Sequence, residues 1–538
     1  MKKLNKNVFY IFLIILISVI FISPLLQFRF YQSHDGEGHA ARFAAYDRAF
    51  KDGQFPPRWA GNLNFGYGTP VFIFYYPLPG YIASVIHATG ISYEGSFLLL
   101  MVTGFIFAPL FFYLWMREYL NKDIAFLGSL LYGLAPYHFL NVFVRGDIAE
   151  TMALVFVPLV FLFIEKFIRS KKIIFILLGA VSYGLLVLSH NGISLMFSPV
   201  LFLYTVLRSK NKKIFLFTLS IFILGLLLSS FFWLPALYEG KYVNTQLFIG
   251  SMYQKHFPSP LQLIYSNWGF GTDVQKAGGL SPQIGIPYIA LTLLALFIFS
   301  GNKNKKDTLF WMGIFLLAVF ITLPVSSFIW EKLSILRLYQ FPWRFTALSG
   351  FASIVIGCFA LNSLKNKKLY FACLALLIIS SIPFIKVKGY ESKNDKFYNN
   401  YQATTDFGAT ISIWTEGDPG KPAKAQLELI GGKAKIENFE KKTNLHTFTI
   451  DAQTNSQILD NTTYFPGWTA TIDGKRVPIE FQDMNHRGLI TYYVPKGKHT
   501  VRLQFMESPV RFLSDTLSLI ALVTVLILSL LLLSKKIK

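Results

Sequence analysis

Charge is scarce in this sequence. Of its 538 residues only 15% are Asp, Glu, Lys or Arg, against 53% apolar, and the mean hydropathy is +0.45. Soluble globular chains carry about a quarter charged residues, so a soluble globular fold is excluded. Acid is scarcer than base: 29 Asp and Glu face 51 Lys and Arg, a net charge of +22. Cysteine is nearly missing. The two present, Cys358 and Cys373, lie in apolar stretches and read as buried apolar side chains, so no disulfide framework is available. Extracytoplasmic parts so poor in cysteine fit a bacterial or archaeal source. The loops that read as cytoplasmic are short and hold no glycine-rich phosphate loop. That removes a nucleotide-activated donor on that side.

What the sequence has in abundance is apolar runs. Stretches at about 8–26, 97–116, 124–142, 150–168, 173–190, 193–208, 214–236, 285–300, 308–328, 344–362, 369–386 and 513–533 are long enough to be read as crossing a hydrocarbon core of about 30 Å. This makes a polytopic α-helical membrane protein of about twelve transmembrane helices. The first run follows a basic start but is long and lacks a small-residue cleavage pattern, so it reads as a retained helix. The stretch 71–88 is apolar but broken by Pro77, Pro79 and Gly80, and reads as re-entrant or interfacial.

Lysine and arginine cluster in every second loop: Lys2-Lys3-Lys6, Arg117-Lys122, Lys166-Arg169-Lys171-Lys172, Arg208-Lys210-Lys212-Lys213, Lys303-Lys305-Lys306, Lys365-Lys367-Lys368 and Lys535-Lys536-Lys538. The positive-inside rule puts these loops and both termini in the cytoplasm. The positive charge therefore sets topology and meets anionic membrane lipids, and nucleic acid is not a partner. The alternate segments lie outside: the first loop 27–96, a second long loop 237–284, and 387–512. The domains expected are a bundle over 1–386, a β-rich extracytoplasmic domain over 387–512, and a final helix with a basic tail over 513–538. In the second of these, short alternating runs (425–430, 447–450, 469–472, 491–494, 500–505) are separated by turn signals at Asp418-Pro419-Gly420, Gly431-Gly432, Asp473-Gly474 and Pro495-Lys496-Gly497. Asp473-Gly474 reads as a hairpin turn, and the spacing as an antiparallel β-sandwich.

The polar residues of interest crowd the outer side. Ser33-His34-Asp35-Gly36-Glu37-Gly38-His39 follows the first helix. If a helix continues over 39–51, Phe43, Tyr46, Ala49 and Phe50 form one stripe, with Arg42, Asp47, Arg48 and Lys51 elsewhere, as in a helix lying flat on a membrane. Asp35 would then stand at lipid-phosphate depth as a general base, with Glu37 beside it; N-capping of the helix is the competing role. Arg145, Asp147 and Glu150 share a short outer loop. Arg145 suits a phosphate, and either acid suits a second carboxylate or an arginine partner. His190 and Arg344 begin later outer turns as further phosphate contacts, the alternative being interfacial anchoring with Tyr339 and Trp343. His39, Arg42 and Arg58 complete the candidate substrate contacts. A divalent cation on Asp35, Glu37 and His39 stays open, although glycines 36 and 38 favour a loop over a ligating strand. Zinc on His34 and His39 is weaker. No metal is assigned and no other cofactor is expected.

The first helix, Asp35-Gly36-Glu37-Gly38-His39 with Arg42, and the helix after them resemble the GT-C class of membrane glycosyltransferases. More closely, Asp52-Gly53-Gln54-Phe55-Pro56-Pro57-Arg58-Trp59, Gly66-Tyr67-Gly68 and Phe74-Tyr75-Tyr76-Pro77-Leu78 resemble a bacterial family of "6-pyruvoyl-tetrahydropterin synthase-related" membrane proteins, over roughly residues 1–385. Tyr464-Phe465-Pro466-Gly467-Trp468, Asp473-Gly474-Lys475 and Pro495-Lys496-Gly497-Lys498-His499 resemble the C-terminal domain of YfhO-like membrane proteins. The resemblance implies a GT-C-like bundle in the bacterial plasma membrane with its site facing outward. It implies a polyprenyl-phosphate-linked sugar as donor, a glycan, lipid or protein as acceptor, an inverting transfer and Asp35 as base. The rival readings are a lipid-linked sugar flippase and a non-catalytic envelope-assembly protein. Spans nearly free of charge away from their ends argue against the flippase.

Overall fold

The computed structural model describes residues 6–245, 250–299, 304–416 and 420–537, without the side chains from 535 onward. Lys2, Lys3, Lys303, Asp418, Pro419 and Lys538, named above, lie outside these residues, as do the side chains of Lys535 and Lys536.

An apolar run satisfies its own backbone in lipid only as a helix, and every one of the expected stretches falls on helix. Among the described residues seven helices are long and apolar enough to cross a membrane: Tyr93–Met116, Lys122–Arg145, Ile148–Ser170, Asn191–Arg208, Pro342–Leu364, Lys367–Phe384 and Pro509–Ser534. Two further stretches are bent pairs, Lys212–Leu228 with Ser230–Tyr242 at 70° and Lys305–Thr322 with Pro324–Lys332 at 83°. At the first bend the Ser229 and Ser230 hydroxyls donate to the Gly225 and Leu227 carbonyls at 2.8 and 2.9 Å, competing with the helix ladder. At the second, Pro324 has no N–H and forces Leu323 into an extended backbone. Lys6–Phe21, Ile174–Ser189 and Ile286–Phe297 are apolar but shorter. By length the structure supports seven to nine spans where about twelve were expected, because sixteen residues rise only about 24 Å.

The helix after the first segment is Gly36–Lys51. It does not lie open on a membrane. His39, Arg42, Tyr46 and Asp47 are buried along with its alanines. One side packs on the helices Leu78–His87 and Tyr93–Met116, and the other is covered by residues 389–405. That covering segment starts by pairing with the segment that follows the first helix, Gln32 N–H donating to Gly389 O and Glu391 N–H to Phe30 O, both at 2.9 Å. It continues through the short helix Asp395–Asn399. The stretch 71–88 forms two helices, Val71–Phe74 and Leu78–His87, broken at Tyr75-Tyr76 ahead of Pro77. Gly80 sits beneath the Tyr46 ring, where a Cβ would collide.

Eight strands follow: β1 Leu427–Gly431, β2 Ala434–Lys442, β3 Leu445–Ala452, β4 Ser456–Thr463, β5 Trp468–Ile472, β6 Lys475–Val477, β7 Leu489–Val494 and β8 Gly497–Phe505. They form two antiparallel sheets, β1-β4-β7 and β2-β3-β8-β5-β6. Alternation sends Phe448, Ile450, Val501 and Leu503 from one sheet and Ile458 and Tyr492 from the other into one core, so the two sheets make a sandwich. Asp473 and Gly474, at φ 51° and 79°, turn β5 into β6 with the left-handed backbone that tight hairpins need. Trp59, in the segment between the first helix and Tyr93–Met116, enters this core, its ring 5.0 Å from Phe505 and 5.4 Å from Trp468. The sandwich is thus seated on the same segment that carries Asp35.

Candidate active site

The span Lys122–Arg145 does not end as a regular helix. Its last turn, Leu140–Arg145, widens to a π-helix, a form frequent at functional sites. The chain then reverses at Gly146, φ 64°, and Asp147 caps the next span by accepting from the Glu150 N–H at 2.9 Å. The segment after the first helix is spliced onto this reversal: Asp35 N–H donates to Arg145 O at 2.8 Å and His34 N–H to Val144 O at 3.1 Å. A Cβ on Gly146 would run into Ser33 and would have to hold a left-handed backbone. Gly146→Ala is expected to lower stability by about 1–2 kcal/mol, read as a lower melting temperature in detergent; an unchanged melt would show that the splice tolerates displacement.

Around this reversal lies a buried ionic network. Arg145 donates to Asp147 Oδ2 and Asn141 Oδ1, both at 2.6 Å, and reaches Glu150 Oε2 at 2.9 Å. Glu150, fully buried, also accepts from Tyr137 Oη at 2.5 Å and Asn141 Nδ2 at 3.1 Å, with Arg344 Nε 3.1 Å from its other oxygen. His190 Nδ1 accepts from the Ile193 N–H at 3.0 Å, which leaves the hydrogen on Nε2, 3.9 Å from Glu150. The His190 ring stands 5.3 Å from Tyr76. Burial pushes the Asp147 carboxyl up, but the Arg145 guanidinium holds it well below the usual carboxylate range. His190 is pushed down by burial, against the pull of Glu150 and Asp147.

Asp35 is different. Its backbone precedes the helix Gly36–Lys51, yet its side chain does not cap it. Among the described residues no hydrogen bond or ion pair engages its carboxylate. It is partly exposed, and burial together with the Asp147 carboxylate pushes its pKa up to about 6, against Arg145, Arg344 and Arg42. An unengaged carboxylate of that basicity, ringed by guanidinium groups, is placed to accept a proton near neutral pH.

The structure therefore brings together Asp35, Arg145, Asp147, Glu150, His190 and Arg344, from four stretches far apart in sequence. Arg42 and His39 flank them. Arg42 lies 4.2 Å above the Tyr75 ring and donates to Thr405 O at 2.6 Å, while its Nη1 is buried without a hydrogen-bond partner. The His39 ring lies 6.2 Å from Phe97 and 6.3 Å from Tyr76, and burial with Arg42 lowers its pKa to about 3, so it is neutral. Glu37 and Arg58 stand apart. Glu37 pairs with Lys393 at 2.5 Å on the protein surface. Arg58 donates to Phe231 O at 2.8 Å and Asp515 at 2.6 Å, tying its own segment to the last helix. Tyr137 and Asn141 were missed. The signal was there: with Arg145 they recur every four residues, one face of a helix, inside an otherwise apolar run.

Asp147, Glu150 and His190 could offer three ligand atoms within 4.8 Å of one another. Both carboxylates already hold guanidinium groups and His190 Nε2 carries a hydrogen, so this set does not suit a cation as it stands. Asp35, Glu37 and His39 diverge into a site, a surface pair and an aromatic slot, so they do not converge on an ion either.

Comparison with known proteins adds the following. Solved structures similar to this chain include the arabinofuranosyltransferase AftD from Mycobacteria, at 13% identity and a TM-score of 0.48, over 71% of this chain and 26% of that one. The oligosaccharyltransferase of Archaeoglobus fulgidus is similar at 14% identity and a TM-score of 0.36, over 74% and 54%. An uncharacterized protein of Lactococcus lactis subsp. cremoris is 29% identical over 195 residues, 35% of this chain, which spans 31% of that relative's length. The family described as 6-pyruvoyl-tetrahydropterin synthase related domain, membrane protein, matches residues 72–387. The match takes in Arg145, Asp147, Glu150, His190 and Arg344, while Asp35 precedes it. It covers more than half of the chain, which therefore belongs to this family of membrane proteins.

Proposed function

We propose that the protein is a membrane glycosyltransferase that moves a sugar from a polyprenyl-phosphate-linked donor to an acceptor hydroxyl outside the cytoplasm. The observation that carries this reading is the Asp35 carboxylate, unbonded, raised to about 6 and set among arginines at one end of an apolar bundle. In the step proposed, Asp35 takes the acceptor's proton, the acceptor oxygen bonds to C1 of the sugar, and the C1–O bond breaks with its electron pair on the departing phosphate. Arg145 is clasped by two carboxylates and orders the network. Arg42, with a free Nη1, and Arg344 are the guanidiniums that meet the phosphate.

In this reading the apolar bundle crosses the bacterial plasma membrane, with both ends inside and the β-sandwich outside. The basic end of Ile148–Ser170 supports it: Arg169 stands 19 residues, about 28 Å along the helix, from Glu150. The test is transfer by the purified protein in lipid from a panel of polyprenyl-phosphate sugars. Product is expected with at least one donor. Donor that changes leaflet without being consumed would instead show a flippase. Because the base must be ionised, the rate should fall about tenfold per pH unit below about 6 and level off above it; a flat profile from pH 5 to 8 would contradict the role of Asp35.

A further inference from the structure

Two open cavities, of about 520 and 450 Å³, lie side by side and share Asn400, Tyr401 and Gln402 as their common wall. The first is bounded by the helix Asp395–Asn399. The second is closed by Arg48 and Asp52 of the Gly36–Lys51 helix end, by the turn at Asn62–Gly66, and by Lys441–Thr443 at the end of β2. The chemistry proposed above uses none of these groups.

Several polar groups along this wall are unengaged. Among the described residues the side-chain amides of Gln402 and Asn62 and the phenol of Tyr401 make no hydrogen bond, with Asn62 Oδ1 itself buried. The Tyr401 ring stands edge-on to Phe397 at 6.0 Å, a firm aromatic wall. The lining is also basic: Arg48, Lys396, Lys441 and Lys442 face a single carboxylate, Asp52, which already accepts from the Thr443 N–H at 2.7 Å. Lys396 and Lys442 have no acidic partner among the described residues. Unspent amides beside aromatic rings match the hydroxyls and C–H faces of sugars, and unpaired lysines match acidic groups upon them.

The wall leads toward Asp35. Arg48 donates to Asn399 O at 3.0 Å and Arg42 to Thr405 O at 2.6 Å, so residues 399–405 run along the Gly36–Lys51 helix in the direction of its start. From Arg48 back to Asp35 is thirteen residues, about 20 Å along the helix. We infer that this groove binds an acidic oligosaccharide chain as the acceptor, holding it about 20 Å from the hydroxyl that reacts. The inference rests on the glycosyl-transfer reading and narrows its acceptor to an anionic glycan long enough to span both places.

The test is binding of labelled oligosaccharides to the full-length protein in neutral lipid discs. The probes are an oligogalacturonate, a phosphorylated oligomannose, a neutral dextran oligosaccharide and a polyglutamate peptide. Either acidic sugar is expected to bind more tightly than dextran and polyglutamate, and the comparison of the two tells carboxylate from phosphate. Lys396→Glu with Lys442→Glu is expected to weaken that binding about tenfold, and Tyr401→Ala to weaken it in a salt-independent way. Asp35→Asn should bind as wild type does. Equal binding of dextran, equal binding of polyglutamate, or indifference to the paired lysine reversal each overturns the groove. Binding that stands while no donor sugar is transferred would sink the transferase reading alone. Transfer to a short neutral acceptor without groove binding would sink the groove alone.

Discussion

Asp35→Asn is expected to leave a folded protein that transfers no measurable sugar, a loss of about 10²–10⁴-fold from removal of the general base. Folding should survive because the carboxylate holds nothing in place: it caps no helix and has no bonded partner among the described residues. Its removal even relieves repulsion with Asp147. The measurement is turnover beside a melting curve. Glu37→Gln is the control, since its carboxylate meets Lys393 on the surface; it should keep most activity. If Glu37→Gln dies and Asp35→Asn survives, the cluster is right and the base is misassigned.

Arg145→Met is expected to be the most damaging single change to stability, by about 3–5 kcal/mol. The guanidinium is buried and is the shared cation of Asp147 and Glu150. A methionine fills much of its volume but leaves Asp147 with no paired cation and Glu150 with Arg344 alone, where water cannot reach them. Adding Asp147→Asn should recover part of the loss, because asparagine also caps a helix and one uncompensated charge disappears. Melting in detergent measures both. A double variant no more stable than the single one would mean that the guanidinium acts by packing on Trp343, 5.0 Å away, and not through charge.

The sequence-level reading of Asp35 held two roles open, base and N-cap, and the side chain makes no capping bond. Glu37 looked equivalent at two residues' distance. What separates them is Lys393, more than three hundred residues on, which the covering segment carries to Glu37. The same segment buries the Gly36–Lys51 helix, whose alternation of charge and apolar residues had suggested a membrane surface. Arg58, a candidate substrate contact by sequence, turns to Asp515 on the last helix.

Hydropathy and turn chemistry are local, and they determined what is local: the apolar helices, the basic ends of the bundle, the Asp473-Gly474 hairpin and the β-sandwich before the final helix. Arg145, Asp147 and Glu150 could be singled out from sequence because they crowd the short stretch between two apolar runs. Their partners could not be. Which of two neighbouring acids stays free, which arginine becomes a tether, and which amides are left for a ligand depend on segments hundreds of residues apart meeting at 3 Å. Only the tertiary structure decides this, because a hydrogen bond depends on that final distance and a sequence pattern carries no distance between its distant parts.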